Sequence, residues 1–74
     1  MTKNQMIKEL QRAEAKAWKE YCEFKAEYAP MSPEGVQARR MSWMTVDTLL
    51  SDMKIPRFTP GELFAEGLVP NVIK

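Results

Sequence analysis

The first 28 residues contain neither glycine nor proline, and this uninterrupted stretch constrains the fold more than any other feature of the chain. Apolar side chains recur along it at steps of three or four residues, which places them on one face of a helix. Thr2 can accept a hydrogen bond from the backbone N–H of Gln5, whose side chain can reach back, as in a capping box. The main stripe of this face comprises Met6, Leu10, Ala13, Ala17, Tyr21, Phe24 and Tyr28. The pattern predicts a helix over about residues 3–28, roughly 39 Å long at about 1.5 Å per residue.

Two prolines separate this helix from the next. Ser32 is suited to cap a helix start and Pro33 to occupy its first position, while Pro56 disfavours helical backbone at the residue before it. The apolar stripe of the second helix comprises Val36, Trp43, Val46, Leu50 and Met53, with Leu49 alongside it and Arg39 as a charged interruption. These signals predict a turn over 29–32 and a second helix from 33 to about 54.

Two long amphipathic helices joined by a short turn form an antiparallel hairpin. If the turn is centred between residues 30 and 31, residues whose numbers sum to about 61 lie level with each other, which brings Trp18 beside Trp43. Ala13 and Ala17 are small enough to let the second helix approach closely. The sequence therefore predicts an all-α fold built on a long helical hairpin.

The residues after the second helix predict three short segments. Thr59 and Glu62 have the spacing of a capping box around Pro60, and Gly67 can adopt the left-handed conformation that ends a helix. These signals indicate an extended link over 55–59, a short helix over about 60–66 and an apolar tail over 67–74. We expect Phe58, Leu63, Phe64 and Leu68 to fold back over the open end of the hairpin near Met6, Ile7 and Met53. The tail is expected to dock on this chain or on a neighbouring copy.

The length of the chain limits the core that it can form. Its 74 residues are expected to make a single small helical domain, spanning 1–74, whose apolar core supplies only about 3–5 kcal/mol. The sequence has no histidine and Cys22 is its single cysteine, so neither an intrachain disulfide nor a Cys/His zinc site can form. We expect no metal and no cofactor. Self-association is then the most available stabiliser, and the sequence favours a two-fold homodimer.

Charge and hydropathy narrow the classes of partner and compartment. Eleven basic and ten acidic side chains leave a net charge of +1, which is too small to steer the chain strongly to nucleic acid or anionic lipid. The N-terminus lacks the apolar core of a signal peptide, and no apolar run approaches the roughly 20 residues of a membrane span. A lone cysteine suits a reducing compartment. We therefore expect a soluble cytoplasmic protein that does not act at a membrane.

Catalysis is the activity that the residues support least. Histidine, the commonest general base at neutral pH, is absent. Glu14 and Asp47 fall at nearly level positions and could form a carboxylate pair. Contact with Arg39, Arg40 or water is the more ordinary explanation. For Cys22, burial at a subunit contact is favoured over a reactive thiolate, and we expect a protein that is not an enzyme.

Apolar side chains remain after the hairpin has used one stripe of each helix. Ile7, Trp18 and Cys22 form a second line on the first helix, and Met41 and Met44 lie off the stripe of the second. These five residues are the candidate partner-binding surface. A second copy could cover them in a four-helix bundle, or a helix or groove of another protein could do so, and methionines suit an adaptable contact. The remaining alternative is that the C-terminal segment wraps around and covers them within one chain.

These features favour a protein–protein interaction module, acting as a small adaptor or regulatory protein. Such a module is compatible with a bacteriophage or mobile-element protein that modulates a host protein. The alternative is a nucleic-acid-binding accessory protein that uses Arg39 and Arg40 in a dimer, which predicts steeply salt-dependent binding. Protein contact instead predicts salt-tolerant binding that is lost on substitution of Trp18, Met41 or Met44.

Overall fold

The computed structural model describes residues 2–71, which form three helices and no strand. The helices are α1 (Lys3–Tyr28), α2 (Pro33–Asp52) and α3 (Pro60–Glu66). The predicted all-α fold is confirmed for this part of the chain, and α1 and α2 pack against each other as a hairpin. Within the same residues, no helix combines the length and the apolar character that crossing a bilayer requires.

Side-chain caps fix the starts of α1 and α3. Thr2 Oγ1 accepts from the Gln5 backbone N–H at 3.2 Å, and Gln5 Oε1 accepts from the Thr2 N–H at 2.8 Å, which completes the predicted capping box. Thr59 and Glu62 form the same pair of bonds at 3.2 and 3.0 Å. Ser32 makes no side-chain cap, because its backbone (φ −142°, ψ 69°) departs from the extended conformation of the other two caps. The start of α2 therefore depends on proline at its first position.

Two tryptophans near the middle of the hairpin fix its register. The ring centroids of Trp18 and Trp43 lie 4.6 Å apart, as the predicted register requires. Near the turn, α2 approaches the Phe24 ring so closely that a Cβ atom on Gly35 would lie 2.8 Å from it. Glycine is therefore needed at position 35 for this close approach, a role that the sequence pattern does not indicate.

The chain after α2 returns along the flank of α1. We call residues 55–71 the strap. Near its start, Gln11 Nε2 of α1 donates to the Pro56 carbonyl at 2.8 Å, and at its other end the Asn71 N–H donates to Glu23 Oε2 at 2.8 Å. The strap thus runs in the same direction as α1. The predicted docking of the tail holds as far as Asn71, and residues 72–74 lie outside the described part of the chain.

The strap does not cover the open end of the hairpin, so that prediction is wrong. Met6 and Met53 lie at the open end and are each about half exposed, and Phe64 is 80% exposed. Phe58 is buried, and the Lys8 ammonium lies 5.7 Å from the centre of its ring. The difference arises because the chain leaves α2 sideways, towards the flank of α1.

The buried sector of α1 is rotated away from the predicted main stripe. Glu14 is 5% exposed and Ala15 is 1% exposed, although neither belongs to that stripe, whereas Met6 and Ala13 of the stripe are exposed. The cause is that α1 has two neighbours, α2 and the strap, and its most buried positions lie where both can cover them. The stripe prediction is wrong in this respect because it assumes that α2 alone covers α1.

Two helices end in the left-handed backbone conformation. Gly67 (φ 71°) follows α3 in the predicted left-handed conformation, and the next N–H donates to the Leu63 carbonyl at 2.9 Å, as in a Schellman motif. α2 ends in the same way at Lys54 (φ 58°), and the next N–H donates to the Leu50 carbonyl at 2.9 Å. A residue with a Cβ atom is strained in this conformation, whereas glycine is not. Lys54 is therefore a strained joint between α2 and the strap.

The substitution Lys54→Gly is expected to raise the free energy of unfolding by about 1 kcal/mol, because it removes this strain. The matched change, Gly67→Lys, introduces the same strain after α3 and is expected to lower it by about 1 kcal/mol. Urea unfolding followed by circular dichroism measures both. If both variants raised the free energy of unfolding, or both lowered it, strain in the left-handed conformation would not be the cause of the two effects.

Candidate interaction surface

Trp43 joins the two long helices through both its ring and its N–H. Its Nε1 donates to Glu14 Oε2 at 2.6 Å. Its ring lies against Trp18 and, nearly parallel at a centroid distance of 6.4 Å, against Tyr21. A buried indole N–H needs an acceptor, and the Glu14 carboxylate supplies it. Trp43 therefore supplies a hydrogen-bond donor to the buried carboxylate of Glu14.

Glu14 and Asp47 bind different donors. Arg57 of the strap donates to both carboxylate oxygens of Asp47, from Nε and, at 2.9 Å, from Nη2. Hydrogen bonding to Asp47 raises the pKa of Arg57, and the charge of Glu14 adds to this effect. The predicted contact with Arg39 or Arg40 is wrong, because Glu14 accepts from Trp43 and the strap brings Arg57 to Asp47.

Cys22 is half-buried on α1. Burial raises the pKa of its thiol, and the nearby Lys25 ammonium opposes that rise. A reactive thiolate requires a lowered pKa. The geometry thus supports a packing role for this side chain over a nucleophilic one.

The structure divides the five candidate partner-binding residues. Trp18 packs inside the hairpin, and Ile7 and Cys22 are half-buried on α1. Met41 and Met44 of α2 remain 54% and 41% exposed. The line on α1 is therefore partly covered within one chain, and the two methionines of α2 stay accessible.

The exposed side of α2 carries no charge between Met41 and Ser51, and the exposed charges of Arg40 and Asp52 lie at the two ends of this stretch. Between positions 41 and 51 the sequence has one charged residue, Asp47, and this side chain is held in an ion pair with the strap. Leu49, which the sequence groups with the inner stripe, is 45% exposed and joins Met41 and Met44 as a third large apolar side chain. We define the outer face of α2 by Met41, Ser42, Met44, Thr45, Thr48, Leu49 and Ser51, all of which are exposed. Depletion of charge and enrichment of methionine are features of the centres of protein interfaces.

The exposed side of α1 has the opposite character. It carries mixed charges on Lys3, Glu9, Lys16, Glu20 and Glu27, all exposed. Charged residues on the side of a helix that faces away from its packing partners are the ordinary pattern of a solvated face. The two long helices therefore present different kinds of surface, and only that of α2 resembles a contact surface.

The two arginines of the nucleic-acid hypothesis have different surroundings. The Arg39 guanidinium lies 3.7 Å from the centre of the Phe24 ring, and its Nη1 donates to the Gly35 carbonyl at 3.3 Å. Arg40 is exposed. Arg39 is thus engaged within the hairpin, where a cation stacked on an aromatic ring gains about 0.5–1 kcal/mol.

Charged groups tie the strap to α1. Arg12 Nε donates to Glu66 at 2.8 Å, and this bond lowers the pKa of Glu66. Glu23 accepts from Lys19 at 2.7 Å and from the Asn71 N–H, and these bonds lower its pKa. Both shifts favour the ionised carboxylate that binds in the folded chain.

Within residues 2–71, no group of three or more histidine, cysteine, aspartate or glutamate side chains is arranged to hold a metal ion. No protein-family model, curated protein or solved structure matches this chain. The functional interpretation therefore depends on the geometry and chemistry of its own surfaces.

The contacts of the strap are expected to weaken in acid. The pKa values of Glu66 and Glu23 are lower in the folded chain than in the unfolded one. Their contribution to stability is therefore present above the unfolded pKa, about 4.3, and is lost as the pH falls through the folded pKa. Unfolding in urea at a series of pH values measures the dependence. Glu66→Gln should weaken the dependence of the free energy of unfolding on pH, whereas Glu20→Gln on the solvated face should not. An equal pH dependence in the two variants would show that Glu66 does not cause it.

Glu14→Ala is expected to lower the free energy of unfolding by about 2 kcal/mol, because it leaves the N–H of Trp43 without an acceptor. Glu14→Gln keeps an oxygen acceptor at nearly the same volume and is expected to cost less. Urea unfolding followed by tryptophan fluorescence compares the two variants. Equal losses would show that the hydrogen bond to the indole is not the cause.

Proposed function

We propose that this chain is a non-enzymatic protein–protein interaction module and that the outer face of α2 is its contact surface. The observation that carries this proposal is the contrast between a small core and a large exposed apolar surface. Within residues 2–71, the buried apolar side chains are Ala15, Leu50 and Phe58. A single core in so short a chain supplies only about 3–5 kcal/mol, so covering further apolar surface contributes substantially to stability.

Met41, Met44 and Leu49 supply the apolar part of the proposed contact. Fully burying a side chain of this size is worth about 1.5–3 kcal/mol, and each of these is roughly half exposed, so covering each contributes about 1 kcal/mol. The serines and threonines between them can bond across a contact or stay solvated. No charge of the outer face has to be desolvated when a partner binds.

The neutrality of the outer face favours a second copy as the partner. In a two-fold interface the residues near the axis meet their own counterparts, so a charge there meets a like charge. The outer face of α2 avoids this repulsion, whereas the charged face of α1 does not. Two hairpins that meet through α2 form a homodimeric four-helix bundle, with crossing angles of about 20° as the expected geometry.

The test is the solution mass of the native chain and of the double variant Met41→Glu, Met44→Glu, measured by light scattering across a wide concentration range. We expect the native chain to pair and the variant to stay folded with a lower mass than the native chain at each concentration, because each glutamate would have to lose its hydration in the contact. Circular dichroism of the variant checks that it is folded.

A matched control places the same two charges elsewhere. Met31 and Phe64 are 72% and 80% exposed and lie outside the outer face of α2. The double variant Met31→Glu, Phe64→Glu is expected to keep the native mass. A native chain that stays monomeric throughout the concentration range, or equal dissociation in both double variants, would contradict pairing through α2.

A further inference from the structure

The strap is held to the hairpin mainly by polar bonds near the surface. Phe58 is the one buried side chain among residues 55–71, whereas Leu63 and Leu68 are half-buried and Phe64 is exposed. The bonds from Gln11 and Asp47 of the hairpin to the strap join exposed groups. Exposed ion pairs and hydrogen bonds contribute little each, because water replaces them readily. Detaching the strap therefore breaks weak surface bonds but uncovers Phe58, one of the three buried apolar side chains, which then needs an equivalent site to cover it.

The joint between α2 and the strap is strained. Lys54 has φ 58° and ends α2 in a conformation that a residue with a Cβ atom rarely adopts. This conformation is needed only while the strap folds back beside its own helix. Residues 53–55 can span about 10 Å when extended, enough to direct the strap away from its own hairpin.

We propose that two copies of this chain exchange straps, so that the strap of each copy lies on α1 of the other. The partner is a second copy because its strap has the residues that the site already binds. Phe58, Arg57 and Glu66 of one chain would meet the same groups on the other that they meet within one chain now. The contacts are kept, and the two joints are free to leave the left-handed conformation.

Strap exchange does not depend on the outer face of α2, since no residue of that face contacts the strap in the bonds described above. It is therefore separable from the proposed pairing through α2. Charges at Met41 and Met44 should disrupt pairing through α2. Replacing Lys54 by glycine should reduce strap exchange.

Crosslinking identifies which chain each strap lies on. Ala26 and Asn71 line the same surface depression, and Asn71 binds Glu23 through its backbone N–H, so both side chains can be replaced without removing that bond. The test protein is the full chain with Ala26→Cys, Asn71→Cys and Cys22→Ser, treated with a short bismaleimide at several concentrations. A denaturing gel separates crosslinks within one chain from crosslinks between two chains.

We expect crosslinked dimers whose share rises with protein concentration. Lys54→Gly in the same background should reduce the exchange, because glycine accepts the left-handed conformation and the joint no longer favours opening. The strain at each joint corresponds to a factor of about five, and an exchanged dimer has two joints. Lys54→Gly is therefore expected to lower the association constant for exchange roughly 25-fold. The Met41→Glu, Met44→Glu change should leave these crosslinks in place, and circular dichroism verifies that each variant is folded.

Three results would overturn strap exchange. The first is crosslinking within single chains at every concentration. The second is a fraction of crosslinks between two chains that stays the same when Lys54 is replaced by glycine. The third is loss of the interchain crosslink in the Met41→Glu, Met44→Glu variant, which would assign it to copies paired through α2.

Discussion

The contact on which the rest of this structure depends is the packing of Trp43 on α1. The indole ring lies on Trp18 and its N–H is bonded to the buried carboxylate of Glu14, so both the position and the rotation of α2 are fixed by one side chain. This register brings Gly35 beside Phe24 at the turn, where a Cβ atom would displace the ring. The same rotation directs Asp47 towards the strap, where it binds Arg57.

α2 and the strap both pack against α1, and this arrangement explains why the surfaces of the two long helices differ. α1 is covered by α2 on one side and by the strap on the next, and its remaining face is charged and solvated. α2 is covered on one side, and its uncovered face has no charge between Met41 and Ser51, where it holds three large apolar side chains. A solvated face needs charges to remain soluble, whereas a face that binds a protein loses free energy by desolvating them.

The sequence predicts the features of this fold that local signals specify. The caps at Thr2 and Thr59 and the left-handed end at Gly67 are encoded within a few residues, and the structure has them. The contact between Trp18 and Trp43 follows from the length of the turn. Burial of Glu14 is a tertiary effect, since it requires the strap and the indole together, and periodicity along α1 contains no signal for it. The one signal in the sequence is Trp43 itself, because its indole N–H needs an acceptor such as the Glu14 carboxylate.

The sequence also predicts only part of the candidate surface, because local spacing does not specify tertiary contacts. Met41 and Met44 lie off the inner stripe and are exposed, as their spacing indicates, whereas Ile7 and Cys22 are half-buried, which their spacing does not indicate. Whether copies pair through α2 or exchange straps, the contact of Trp43 with α1 is unchanged. The charged face of α1 then stays in solvent in either assembly. Pairing through α2, as proposed, would add apolar burial without altering the hairpin, which is the solution that a small core favours.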